Sequence, residues 1–230
     1  MKLRENFVVY IAAIVASAVF LLIYYFAGHV EFFLHLAAIP LEVLVVIFII
    51  EKLLDVKEKS ERKKQLVYIK GCIFRSDMRS LFAANFAALK IPAVSIPQIK
   101  DMSLEELKQA REDANAVEYK SLDAMEPVIM EYVNAQPVWK NFMDLAMGFG
   151  FDAVLKGMVY IMHFINDVKV FKENHPDKPF IHEAEEKEWL MKKVDKVLGD
   201  GIRSFMDFAI ELKQNQPDMF LEMLSDYESL

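Results

Sequence analysis

Three side chains that can bind or release a proton, Glu31, His35 and Glu42, interrupt an otherwise apolar stretch at spacings of four and seven. On a helix that spacing puts all three on one stripe. A carboxylate at the centre of a bilayer costs about 2.5–3.5 kcal/mol, so Glu42 must be protonated, paired, or turned toward protein or water. Three kinds of chemistry follow. Glu42 can hydrogen-bond to a partner helix or to a neighbouring copy. The stripe can line a path for protons or ions in an oligomer. Or it can make a polar contact with a different membrane subunit. Pro40 lies within the stripe, where it bends a helix and releases one backbone carbonyl.

Elsewhere the residues able to do chemistry are thinly spread. His163 and Asp167 are four apart in an apolar segment, but no second histidine stands near on that face, and neither Glu-x-x-His nor His-Glu-x-x-His occurs. A hydrogen-bonded core histidine is the expected reading. His182-Glu183-Ala184-Glu185-Glu186 resembles a ligand cluster, yet its acids fit the positive end of a helix dipole. Cys72 has no second cysteine, and catalysis by it would need a histidine from elsewhere in the fold. There is no Gly-x-Gly-x-x-Gly, Walker loop or Gly-x-Ser-x-Gly. The methionines, 13 in all, include the i,i+4 pairs Met158/Met162 and Met219/Met223, read as core filling. No cofactor, metal site or catalytic residue is expected.

These residues must be positioned by membrane elements. Residues 7–27 carry no charge, and a helix of that length spans about 31 Å, the thickness of a hydrocarbon core. A cleaved signal peptide is the rival, with Lys2 and Arg4 ahead of Val15-Ala16-Ser17-Ala18. Continuation of the apolar run past Ala18, and a second run over 32–50, favour a retained anchor. Tyr24, Tyr25, Phe26, Phe32 and Phe33 crowd the turn at Gly28-His29, as an aromatic belt would. Ala12, Ala13, Ala16, Ser17 and Ala18 permit close helix approach. Basic residues flank both ends of this hairpin and not its turn. The positive-inside rule therefore predicts a multi-pass protein of the plasma (inner) membrane with both termini cytoplasmic.

Charge is segregated along the chain. Residues 51–100 hold eleven basic and five acidic side chains, whereas 101–230 hold fourteen basic and 26 acidic. Lys52, Lys57, Lys59, Arg62, Lys63 and Lys64 are placed to meet anionic lipid headgroups, at roughly 1 kcal/mol each. The acidic remainder is repelled from the same surface and argues against nucleic-acid binding. The single cysteine excludes an internal disulfide and fits a reducing compartment.

Between Pro40 and Gly71 no Gly or Pro occurs, so one helix is expected to leave the membrane through the charged stretch 57–65. Ile91 to Pro97, with two prolines, should be extended, packed on its own domain or docking a partner. Ser103-Leu104-Glu105-Glu106 is a capping box, predicting a helix to about 115. Further helices are expected at about 117–134, with a disturbance at Pro127, from Pro137 to about 147, and over about 152–173. The last of these, apolar on more than one face, should be the central one. A helix over about 182–214, bent at Gly199-Asp200-Gly201, and a short one from Asp218 complete the pattern, with Phe220, Leu221 and Leu224 as a candidate partner face. No strand pattern is evident.

The expected fold is all-α. It comprises a transmembrane hairpin (1–50), a charged juxtamembrane helix (51–90) and an acidic helical cytoplasmic domain (91–230). The expected function is a membrane-anchored, homo-oligomeric scaffold or interaction protein without a catalytic site. Its expected partners are the lipid bilayer, further copies of itself, and a candidate second membrane or cytoplasmic protein. The alternative is an oligomeric ion- or proton-conducting protein whose second span lines the path.

Overall fold

The computed structural model describes residues 2–26, 30–149 and 151–229. The described residues are almost entirely helical, with one short ladder of two strands. They fall into two compact units, Met1–Gln65 and Leu66–Leu230.

The first unit holds α1 (Lys2–Phe26) and most of α2 (Glu31–Arg75), which runs unbroken through Pro40 and Gly71. Among the described residues, only α2 is long and apolar enough to cross a membrane. Its most apolar 18-residue window has a mean hydropathy of 2.6 and is 6% buried. The expected first span contributes a shorter apolar run, Tyr10–Phe26, and Ala27 lies outside the described residues. Each helix has one less exposed stripe. On α1 it is Tyr10, Ala13, Ala16, Ser17, Phe20 and Tyr24, and on α2 it is Phe33, Leu36, Ala37, Pro40, Leu44 and Ile47. Ser17 and Ala37, at 3% and 2% exposure, are the most buried members of these two stripes.

The second unit begins with the last turns of α2. It continues through α3 (Arg79–Ala88), β1 (Leu89–Ile91), α4 (Ile96–Asp101), α5 (Leu104–Asp113) and a 3-10 turn (Ala114–Ala116). Next come β2 (Glu118–Tyr119), α6 (Leu122–Asn134), α7 (Gln136–Phe149) and α8 (Asp152–Asn174). The chain ends with α9 (Phe180–Glu186), α10 (Glu188–Asn215), α11 (Pro217–Ser225) and a closing 3-10 turn (Asp226–Ser229). The capping box at Ser103 forms: Ser103 N donates to Glu106 Oε2 at 2.6 Å, and Glu106 N to Ser103 Oγ at 3.2 Å.

Five expectations are corrected. A ladder exists, with β1 antiparallel to β2 and Leu89 opposite Tyr119; at two or three residues each, these strands are too short to show alternation. The segment expected to be extended up to Pro97 turns helical at Ile96. There Ser95 N donates to Gln98 Oε1 at 2.8 Å and Pro97 sits in the first turn, where its missing N–H costs nothing. Helix α6 starts at Leu122 rather than 117, capped by Ser121 Oγ on Ala124 N, and passes through Pro127 unbroken.

The long helix is interrupted at Lys187, whose backbone is extended, and not at Gly199-Asp200-Gly201. The reason is phase. Ile181 and Ala184 are buried, and a continuous helix would next bury residue 191, yet Leu190 is the buried one. The break restores register by one residue.

Finally, α10 and not α8 is central. From Leu190 to Leu212 it buries a continuous stripe, touching α3, α5, α6, α8, α9 and α11. Among the described residues of α8 only Phe164, Ile165 and Val168 are buried, and Val159 is 40% exposed; its largest pairing is with α7. Phe205 anchors an aromatic cluster with Phe74, Phe82, Phe86 and Tyr227, centroids 4.9–6.1 Å away.

Candidate functional site

Glu31, His35 and Glu42 all lie on α2, and all three are exposed. Their direction follows from helix geometry. Glu31, Glu42 and His35 each stand nine residues, about two and a half turns, from a member of the less exposed stripe: Pro40, Phe33 and Leu44. Half a turn is the opposite side of the helix. The polar stripe therefore points away from the less exposed face of α2, and Glu42 has apolar neighbours, Ile39, Leu41, Val43, Val45 and Val46, each 46–58% exposed. Both sides of this segment are apolar, so hydropathy alone gave no sign of which one would be less exposed.

Beyond the apolar run the helix is polar. Lys57 pairs with Glu61 at 4.0 Å and Arg62 with Glu58 at 2.6 Å, both i,i+4 and largely exposed. Lys52 and Lys64 are exposed. The side chains of Lys59 and Lys63 fall outside the described residues. The apolar surface does not stop at Ile50: Leu53, Leu54 and Val56 are 64, 59 and 62% exposed.

The second unit disperses the other candidates. His163 is exposed, not a core histidine, and Asp167 pairs with Lys193. His182 is half exposed, 3.4 Å from Asp123 and 3.8 Å from Glu185. Cys72 is an exposed thiol. Met158 and Met162 are half-buried. Of the face expected on the last helix, Phe220 and Leu224 are core residues and Leu221 alone is exposed. No group of three or more His, Cys, Asp or Glu side chains among the described residues is gathered as a metal site would require.

One polar cluster was not foreseen. Asn85, fully buried on α3, accepts from Tyr119 Oη at 2.9 Å and donates to the carbonyl of Leu198 at 3.1 Å. Tyr132 Oη donates to the carbonyl of Val197 at 3.1 Å. Burial pushes both phenols well above the ordinary tyrosine range. These bonds converge on Gly201, where a Cβ would fall inside 3.0 Å of Tyr132 Oη. Beside them Arg203 donates to Asp200 at 2.7 Å and to the carbonyl of Ala114 at 3.1 Å. Burial alone would raise the Asp200 carboxyl, but hydrogen bonds and charge from Arg203 and Lys196 outweigh it and hold it below its ordinary value. With Asn85, Tyr119 and Tyr132 each bonded inside the fold, this cluster locks α3, α6, β2 and α10 together. A second unusual group is Lys70, whose Nζ lies 5.0 Å from the Phe74 ring centre and 4.6 Å from that of Phe208. Burial lowers its pKa, partly offset by Glu211 and Asp207.

No family model, curated protein or solved structure matches the chain.

Proposed function

We propose that this chain is a membrane-anchored, self-associating scaffold or interaction protein. In this reading α1 and the first part of α2 form the transmembrane hairpin, the charged part of α2 meets anionic headgroups, and the helical domain beyond it faces the cytoplasm. The observation that carries the reading is the uncovered apolar surface of α2, 6% buried over its most apolar window, with Glu42 in the middle of it. Water is excluded as its neighbour by hydrophobicity: at about 25 cal/mol per Å², such a helix does not stay in solution bare. Lipid satisfies the apolar part but not a carboxyl group. A protein partner within the membrane satisfies both. The acidic helical domain offers a polar surface to cytoplasmic partners.

Two measurements test this. Alkaline carbonate washing of membranes should leave the full chain in the pellet. Chemical cross-linking in native membranes should give homo-oligomers. A chain released by carbonate removes the anchor, and one that is strictly monomeric, with nothing co-purifying, removes the scaffold. Ion flux through reconstituted vesicles that Glu42→Gln abolishes would replace the scaffold by a conducting assembly.

A further inference from the structure

We infer that the side of α2 opposite its less exposed stripe is a parallel self-association seam, in which the carboxyl group of Glu42 meets that of a second copy. The inference rests on the membrane reading above and names the occupant of its polar stripe. At spacings of four and three, Glu31, His35, Ala38, Glu42, Ile49, Leu53 and Val56 follow one side of α2, with Val45 and Val46 flanking the gap between Glu42 and Ile49. That alternation is the repeat of left-handed helix pairs.

The partner's chemistry follows from what Glu42 needs. Glu42 is exposed on the side away from the less exposed stripe of α2, and acyl chains offer no hydrogen bond. A carboxylic acid is both donor and acceptor, so an identical group completes it: the O–H of one Glu42 donates to an oxygen of the other. Copies inserted with the same topology are related by an axis along the membrane normal. Their α2 helices are therefore parallel, with Glu42 of each at one depth. Leu53 and Val56, past the apolar run and 64 and 62% exposed, continue the same side, where a second copy supplies matching residues at the same height; Leu54, 59% exposed, lies off it.

The single cysteine makes the test direct. In a Cys72→Ser background, single cysteines at Ala38, Ile49 and Leu53 on the seam are compared with Leu41, Phe48 and Leu54 off it. Full-length protein in native membranes is oxidised, then extracted with carbonate. Disulfide-linked dimer should form at the three seam positions several-fold faster than at their off-seam neighbours. Adding Glu42→Leu should lower the seam rates about three- to thirtyfold, the range of an interhelical hydrogen bond in a membrane, whereas Glu42→Gln, which keeps donor and acceptor, should retain them. A membrane-retained chain whose cross-linking is flat, peaks off the seam, or links to a different protein overturns the seam and leaves the anchor standing. A chain found in the carbonate supernatant overturns both.

Discussion

Gly201→Ala tests whether the polar cluster, rather than helix bending, explains the glycine in the middle of α10. The ordinary expectation for glycine to alanine inside a helix is a gain of about 1 kcal/mol. Here the new Cβ falls inside 3.0 Å of Tyr132 Oη, with Asn85 Nδ2 next at 3.3 Å and Tyr132 Cζ at 3.6 Å. Overpacking of this kind costs about 1–3 kcal/mol. Displacing the phenol from the Val197 carbonyl leaves a buried hydroxyl unpaired, for a further cost of about 1–3 kcal/mol. After the propensity gain, the net loss is about 1–5 kcal/mol. Trp139, buried and stacked on Tyr132 with ring centroids 5.8 Å apart, is a built-in reporter. Urea unfolding of the full chain in a non-ionic detergent, followed by tryptophan fluorescence, reads the loss. The decisive comparison is Tyr132→Phe, which removes the clashing oxygen and should itself cost only about 1 kcal/mol. In the double variant the alanine should add no further destabilisation. A Gly201→Ala protein as stable as the wild type, or losses that simply add in the double variant, would refute the reasoning.

Gly157, within α8 and with nothing within 4 Å of a built Cβ, should behave oppositely: Gly157→Ala should raise the melting temperature, with a gain of about 0.5–1 kcal/mol. In the first unit, Ser17→Leu should overpack the surroundings that leave Ser17 only 3% exposed and cost about 1–3 kcal/mol in an SDS titration followed by circular dichroism. Ser17→Ala should be neutral or better, because the buried hydroxyl has no hydrogen-bond partner among the described residues. Asp200 is held below its ordinary 3.8, so its contribution to stability is present above that pH and lost as pH falls through the folded value. Asp200→Asn should therefore destabilise by about 0.5–1 kcal/mol at pH 7, discounted for a side chain 47% exposed, and the gap to wild type should close below pH 3.8 in melting curves.

What could be read in advance was local. The capping box at Ser103, the proline in the first turn of α7 and the unbroken α2 each depend on residues within a few positions. The second capping box, Ser95 with Gln98, was equally local but hidden behind the two prolines beside it. The break at Lys187 was also legible, since the apolar phase slips by one between Ala184 and Leu190, although the glycines at 199 and 201 drew the bend toward themselves. Burial was not local. α8 looks more apolar than α10, yet it has too few neighbours to cover it, and no periodicity reports how many helices will arrive. For the same reason Gly201 was unreadable: its requirement is set by Tyr132 and Asn85, far along the chain. The stripe of Glu31, His35 and Glu42 was legible as a stripe. Its orientation was not, because α2 is apolar on every other side.

The centrality of α10 has a consequence for how the second unit comes apart. Most of the helices around it rest on the one stripe from Leu190 to Leu212. Opening α10 uncovers them together, so these elements must be lost in a single cooperative step, and their backbone amides should exchange with solvent at one common, slow rate. α7 is held differently: it rests chiefly on α8, which itself sends Phe164, Ile165 and Val168 into the shared core. α7 can lift away while the rest stays folded, which gives a quality-control protease its first foothold there rather than at either end of the central helix.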